Sequence, residues 1–287
     1  MYNTPRISIV MPVYNGESYL AAALESVLAQ DFPDFELICL NDGSQDATPD
    51  ILADYAARDS RIIYRDNPRN MGLPATLNAG FAMASGDYQS WTSDDNLLRP
   101  DMLSTLANAL DADPSVAIVY GGYSVIDSNG AILRYQPPRS LDDRWFGNPV
   151  GAAFLYRREV TAALGGYDES LFGAEDYDFW LRAARRFKMQ AVDRDLYLYR
   201  RHDASLTNQK SMQIKDLVAR VVVRELQDVT DRKLRANALL HLILHDHGKF
   251  RLALVGRAFA ASPIATALKL PALGVHLARV LASQIRA

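Results

Sequence analysis

Over its first 125 residues the chain alternates between two hydrophobic periods, and that alternation constrains its fold more than any other feature. The runs "RISIVMP", "FELICL", "RIIYRD", "DYQSW" and "VAIVYGGY" read as strands, being short, rich in β-branched and aromatic residues and bounded by turn formers. Between them Leu20, Leu24, Val27 and Leu28, then Leu73, Leu77 and Phe81, then Leu103, Leu106 and Leu110 recur at helical spacing. The first helix is expected to stop near Asp31 and Pro33, Thr48-Pro49 to cap and open the second, Gly86 to end the third and Pro100 to open the fourth. Such alternation predicts an α/β fold with a mostly parallel, Rossmann-like sheet and helices on both faces. Ligands of these sheets bind outside the carboxyl ends of the strands. "MPVYNG", "NDGSQD" and "SDD" follow the first, second and fourth strands, so all three polar clusters fall at one edge.

The second half is less regular. Residues 131–149 predict a strand and a long loop, and "GAAFLYRREV" a strand entering a helix. "GGYDESLFGAEDYDFWLRAARRF" predicts a Gly-rich loop leading into a helix with Tyr177, Trp180, Leu181, Ala184 and Phe187 on its inner face. "MQAVDRDLYLYRRH" predicts a strand ending at Arg200, Arg201 and His202. Beyond about Thr207 the pattern is helical, with breaks near Gly248, Pro263 and Pro271. The chain therefore divides into a domain over residues 1–206 and a helical extension over residues 207–287.

Charge and cysteine usage exclude several classes. A formal net charge of −3 carries no nucleic-acid signature, but it is polarised: residues 248–287 hold six Lys/Arg and no Asp or Glu. A basic, helix-forming tail with Leu268, Leu270, Leu273, Val275, Leu277 and Val280 has three readings: peripheral contact with an anionic membrane, packing on the first domain, or packing on a second copy in a homodimer. The single cysteine, Cys39, has no intrachain disulfide partner and reads as a small core residue. Strand-like sequence begins by Ile7, leaving no room for a signal peptide, and no apolar run reaches the ~20 residues of a spanning helix. The expected location is cytoplasmic, at most peripheral at the inner face of the membrane.

Asp94 and Asp95 end the fourth strand on two like charges. Either they form a surface turn, or they hold a hard cation such as Mg²⁺ or Mn²⁺, which takes few protein oxygens and completes its shell with phosphate and water. Asp142-Asp143 is the same dipeptide in a loop with no such context. Asp42, just past the second strand beside Gly43 and Ser44, suits hydrogen bonding to a ribose or base, or an ordinary Asp-Gly turn. No Gly-x-Gly-x-x-Gly follows the first strand, which removes most of the weight from a dinucleotide-dependent dehydrogenase. Glu175 and Asp176 open a helix, where acids complement the macrodipole and where a carboxylate could also take a proton from a hydroxyl. Arg200 and Arg201 could screen phosphates; His202 could ligate a metal, or cap a core edge, the blander role.

Taken in order, "SIVMPVYNGESYLAAALESVLAQ", "NDGSQDAT", "NMGLPATLNAG", "SDDNL", "GGYDE", "AEDYDFWLR" and "YRRHDASLT" resemble the inverting glycosyltransferases of family 2, over roughly residues 6–207. The resemblance implies the A-type glycosyltransferase fold and a nucleotide-diphosphate sugar donor, UDP- or dTDP-linked, with a glycan or lipid-linked glycan as acceptor. It implies a base and ribose pocket at Pro12, Val13, Tyr14, Asn15 and Asp42, with Glu17 and Asn70 beside them. Asp95 becomes the metal ligand, with Asp94 or Ser93 nearer the ribose or sugar. Asp176 becomes the catalytic base with Glu175 as the alternative; Arg200 and Arg201 lie near the diphosphate, and His202 completes the metal site. Two positions depart from the family pattern: Thr76-Leu77-Asn78 stands where many relatives have Ala-Arg-Asn, leaving Arg69 as a substitute cation, and Ser93 opens the metal motif in place of an Asp. Competing readings are a glycosidase, which needs no nucleotide pocket, a sugar nucleotidyltransferase, which releases pyrophosphate, and a non-catalytic sugar-nucleotide-binding or scaffold protein.

Overall fold

Strand β1 (Ile7–Val13) shows how one sheet comes to have two cores. Its odd-numbered residues, Ile7, Ile9, Met11 and Val13, face one way and Val10 the other, as the two-residue period of a strand dictates. The odd side packs against Leu20, Leu24 and Val27 of α1 (Leu20–Leu28), Leu52 of α2 (Thr48–Arg58) and Leu103, Leu106 and Leu110 of α4 (Met102–Ala112). The opposite side, with Ile38 and Leu40 of β2 (Phe35–Asn41), packs against Leu77 and Phe81 of α3 (Leu73–Met83), Val160 of α5 (Arg158–Leu164) and Phe179 and Trp180 of α6 (Glu175–Ala183). Each fully buried Leu, Ile or Phe contributes about 1.5–3 kcal/mol of gross burial energy, so both faces must be covered. Cys39 lies within the first of these cores, and its burial pushes the thiol up from its ordinary range.

The computed structural model describes residues 4–202, 211–246 and 249–286, in two compact units. The first comprises residues 1–141 and 149–209, the second residues 142–148 and 210–287. The boundary expected at 206/207, the end of the "YRRHDASLT" motif and the break at Gly248 lie outside the described residues.

In the first unit, β3 (Ile62–Asp66), β4 (Tyr88–Trp91), β5 (Leu97–Leu98), β6 (Val116–Ile126), β7 (Ile132–Gln136), β8 (Phe154–Arg157) and β9 (Lys188–Arg200) complete a nine-stranded sheet. Its order is β3-β2-β1-β4-β8-β6-β9-β5, with β7 on β6. The pairings β1–β2, β1–β4, β2–β3 and β6–β9 are parallel; β8 runs antiparallel between β4 and β6, and β5 and β7 are antiparallel too. The fifth predicted strand, β6, is therefore not β4's neighbour. The sheet is mixed, and its parallel half carries the three polar clusters at one edge.

Two helix starts differ from expectation; Pro100 lies in the turn before α4, which begins at Met102. Thr48 is the first residue of α2 rather than its cap; Ala47 holds the cap position without a side-chain bond. Asp46 Oδ1 accepts from the Thr48 amide at 3.1 Å, and Thr48 Oγ1 turns to the Gly16 amide at 2.9 Å. The carboxylate of Asp46, two residues before Thr48, supplies the acceptor, which frees the hydroxyl to tie two loops together.

The second unit is helical: α7 (Ser211–Glu225), α8 (Arg232–Leu244), α9 (Leu252–Ala261), α10 (Pro263–Ala267) and α11 (Leu270–Arg286). Asp231 caps α8, accepting from the amides of Lys233 and Leu234 at 2.9 and 3.0 Å. Asp216 of α7 pairs with Lys249 and Arg251 at 2.6 Å each, and Arg251 also pairs with Asp246 at 2.8 Å. Among the described residues no helix is long and apolar enough to cross a membrane.

Candidate active site

The loops after β1 and β2 are built as one piece. Asn15 is the one non-glycine residue with positive φ among the described residues, at 53°. Its amide donates to Ser44 Oγ and its Oδ1 accepts from the Gln45 amide, both at 2.9 Å, so tertiary bonds hold a conformation most side chains avoid. Glu17 is equally engaged: its amide donates to Asp46 Oδ2 at 3.1 Å and its Oε2 accepts from Ala47 at 3.0 Å. Pro12 and Val13 are buried inside β1, whereas Tyr14, half exposed, leaves an aromatic ring in solvent at the sheet edge.

Asp42 is buried, and its carboxylate organises the next loop. Oδ1 accepts from Asn67 Nδ2 and the Met71 amide at 2.8 Å each, and Oδ2 from the Gly72 amide at 2.9 Å. Three of its roughly four acceptor positions are thus filled from within the protein. The exposed Asn70 sits in that loop and accepts from Gly72 at 3.1 Å. Gly43 has φ +80°, and a Cβ there would stand 2.8 Å from the Asn70 nitrogen. The backbone of residues 69–72 closes directly on the Asp-Gly turn.

Asp94 and Asp95 follow β4 and point into different surroundings. Asp94 Oδ2 would lie 2.2 Å from a Cβ at Gly16, so the carboxylate occupies the space a side chain would fill. Burial, and then the charge of Asp95, push its carboxyl up to about 7, against the pull of its own and Tyr14's backbone amides. Asp95 faces the end of β9. Its Oδ2 lies 3.0 Å from His202 Nε2, while Oδ1 is buried without a hydrogen-bond partner. His202 in turn lies against Tyr19, ring centroids 5.1 Å apart.

Arg200 frames this pair. It is buried, stacks over Tyr19 at 4.6 Å, and donates through Nε to the Asp95 carbonyl at 2.8 Å. Nη1 donates to the carbonyls of Asp127 and Ser128 at 3.3 and 3.1 Å, and Asn96 Oδ1 accepts from the Arg200 amide at 2.7 Å. The guanidinium is directed at backbone carbonyls. Arg201 is exposed, its amide donating to Ile126 at 2.9 Å, and Ser93 is part-buried between β4 and the aspartates.

At the start of α6, Glu175 is buried and accepts from the Gly173 amide. Burial and the neighbouring Asp176 push its carboxyl up to about 8. Asp176 is part-buried, and its Oδ1 accepts from the Tyr177 amide at 2.6 Å. Its charge acts on Tyr123 and Tyr167, and Tyr123 lies against Tyr199, the residue before Arg200.

A buried carboxylate oxygen without a partner is costly unless a cation faces it. Asp95 with His202 offers one oxygen and one imidazole, a donor set that suits Mn²⁺ or Mg²⁺ with remaining ligands from phosphate and water. Among the described residues no three His, Cys, Asp or Glu side chains converge on one metal position. The structure thus joins Asp95 to His202, and the loops bearing Tyr14, Asn15, Glu17 and Asp42 to one another. It places Arg200 behind Asp95. The sequence assigns no role to four supporting residues: Gly16, Tyr19, Asn96 and Asn78, whose side chain pins the Tyr167 backbone at 2.8 and 2.9 Å. For Gly16 a signal existed, a glycine directly after the strand-end Tyr-Asn; for the others the partner is remote in sequence.

Comparison with known proteins bears on this arrangement. The model of Glycosyl transferase family 2 matches residues 8–165. The chain is 33% identical over 229 residues to the uncharacterized glycosyltransferase RT0329 of Rickettsia typhi, covering 75% of this chain and 70% of that protein. A 32% identical relative in Rickettsia felis is much longer, the match spanning 32% of its length. In structure it resembles residues 1–349 of S. aureus TarS in complex with UDP-GlcNAc, with a TM-score of 0.73 at 18% identity over 96% of this chain and 88% of that one. It also resembles the mannosyltransferase PcManGT of Pyrobaculum calidifontis in complex with GDP-Man and Mn²⁺, with a TM-score of 0.64 at 18% identity over 99% and 87% of the two chains. These structures share the fold, and the sequence match settles the family: the chain belongs to glycosyltransferase family 2.

Proposed function

We propose that this glycosyltransferase moves a sugar from a nucleotide-diphosphate sugar to an acceptor hydroxyl with inversion at the anomeric carbon, in the assembly of a polysaccharide or glycolipid. The observation that carries the reading is the buried, unpartnered Asp95 Oδ1 at the sheet edge where the loops after β1 and β2 meet. The complexes of TarS with UDP-GlcNAc and of PcManGT with GDP-Man and Mn²⁺ support a donor of this class and a divalent cation. Asp95 and His202 are the residues that would hold the cation, which when bound neutralises charge developing on the departing diphosphate.

The chain's own residues account for the remaining steps. Tyr14 offers an exposed ring to a base, and Asp42 clamps the loop of residues 67–72 beside the Asp-Gly turn. Arg200 fixes the Asp95 backbone and Tyr19 the His202 ring, so both ligands are positioned before the donor arrives. Burial holds the Glu175 carboxyl above its ordinary range, which favours the less buried Asp176 as the base. Asp176 takes the acceptor proton as the hydroxyl oxygen bonds to the anomeric carbon and the bond from that carbon to the diphosphate breaks. The nucleoside diphosphate leaves from the opposite face.

General-base help of this kind is worth about 10²–10⁴ in rate. Once the donor is identified, Asp176→Asn should lower kcat by about 10²-fold or more while donor binding, measured by calorimetry, stays within a few-fold of wild type. Unchanged turnover in that variant would remove Asp176 from the mechanism, and retention of anomeric configuration by NMR would remove inversion.

A further inference from the structure

We propose that the outer side of α9, α10 and α11 is a docking surface for an anionic lipid bilayer, on which these helices lie in the headgroup plane. The carrying observation is chemical. Between Lys249 and Ala282 every exposed residue is either apolar, Gly or Pro, or else Lys or Arg. Ser262, Thr266 and His276, the neutral polar residues of that stretch, are turned inward or part-buried. In α11 the buried stripe is Leu273, His276 and Val280, at helical spacing. An ordinary surface helix would be polar on its other side; here that side carries Leu270, Val275, Leu277 and Leu281 with Arg279. Leu252, Ile264 and Leu268 are 72%, 78% and 76% exposed.

Charge decides the occupant. Residues 248–287 contain no acid, and with Lys249 and Arg251 paired to Asp216 and Asp246 the face keeps Arg257, Lys269 and Arg279, so a second copy of the same face would bring like charges together. An anionic headgroup layer offers the opposite charge to Arg257, Lys269 and Arg279, and the acyl boundary takes the leucines. No described helix is long and apolar enough to span, so the contact is interfacial. The inference stands whether or not the proposed reaction does, because it rests on residues outside the candidate active site.

The test is co-sedimentation of the full chain with vesicles of phosphatidylglycerol and phosphatidylethanolamine, beside pure phosphatidylcholine, at low salt and at about 0.5 M salt. Binding to the anionic vesicles, weakened about tenfold or more by salt, is expected. The exposed-site variants Leu268→Glu/Leu277→Glu and Lys269→Glu/Arg279→Glu should each lower partition by about tenfold or more with circular dichroism unchanged. Absence of binding to anionic vesicles overturns the proposal, as does binding that neither variant alters. Light scattering that shows a dimer lost in Leu268→Glu/Leu277→Glu, without vesicle binding, would assign the face to a second copy instead.

Discussion

Asp94 and Gly16 show how closely single atoms are fitted. With 2.2 Å between Asp94 Oδ2 and the position of a Cβ at residue 16, and Val13 Cγ1 at 2.9 Å, Gly16→Ala must move the carboxylate or the loop. We expect a stability loss of about 1–3 kcal/mol, read from denaturant unfolding, and a nucleotide affinity weakened about tenfold or more. Glu175 makes a second prediction, with a sign. Burial and then the charge of Asp176 push its folded carboxyl up from the ordinary 4.5 to about 8, so across that window the folded chain holds the extra proton. Stability contributed at this site therefore falls as pH rises through that window. Glu175→Gln cannot ionise, so its stability relative to wild type should improve from pH 5 to pH 8 by on the order of 1–4 kcal/mol in thermal or denaturant melts. A constant difference across that range would contradict the assignment.

At the scale of elements, Arg200 is a joint: it ties the end of β9 to the loop after β4 and to the turn at residues 127–128. Arg200→Met deletes three charge-assisted bonds made by a buried side chain and should cost about 2–4 kcal/mol, with Arg200→Lys recovering part of it in urea melts. The resemblance placed this arginine near the diphosphate; in the structure its Nε and Nη1 bond backbone carbonyls, an orientation that nothing in "YLYRRH" announces. The strand–helix alternation was legible because it is local: each of the first four strands and helices carries its own period. The antiparallel insertion of β8 between β4 and β6 was not, because four residues, Phe154–Arg157, hold their place through pairings with residues far away in sequence. The same reason hid the Asn78–Tyr167 tie. Likewise Asp95 and His202, 107 residues apart, meet only through the fold, and their association was suggested beforehand by family resemblance rather than by spacing.

At the scale of the molecule, the family match runs over residues 8–165, whereas β9, with Arg200 at its end, and His202 lie beyond it. The fold shared with TarS and PcManGT extends over nearly the whole chain at 18% identity, a level at which sugar and base specificity are free to differ. In the proposed reaction Asp95 is the point where donor and cation meet. Calorimetric titration of UDP, dTDP, GDP and CDP, with and without Mn²⁺, into wild type and Asp95→Asn tests it most directly. We predict that one diphosphate binds about tenfold or more tightly with Mn²⁺ than without, and that Asp95→Asn abolishes the difference while its melting curve stays cooperative. Metal-dependent binding that survives intact in Asp95→Asn, or no binding of any diphosphate under any condition, would contradict it.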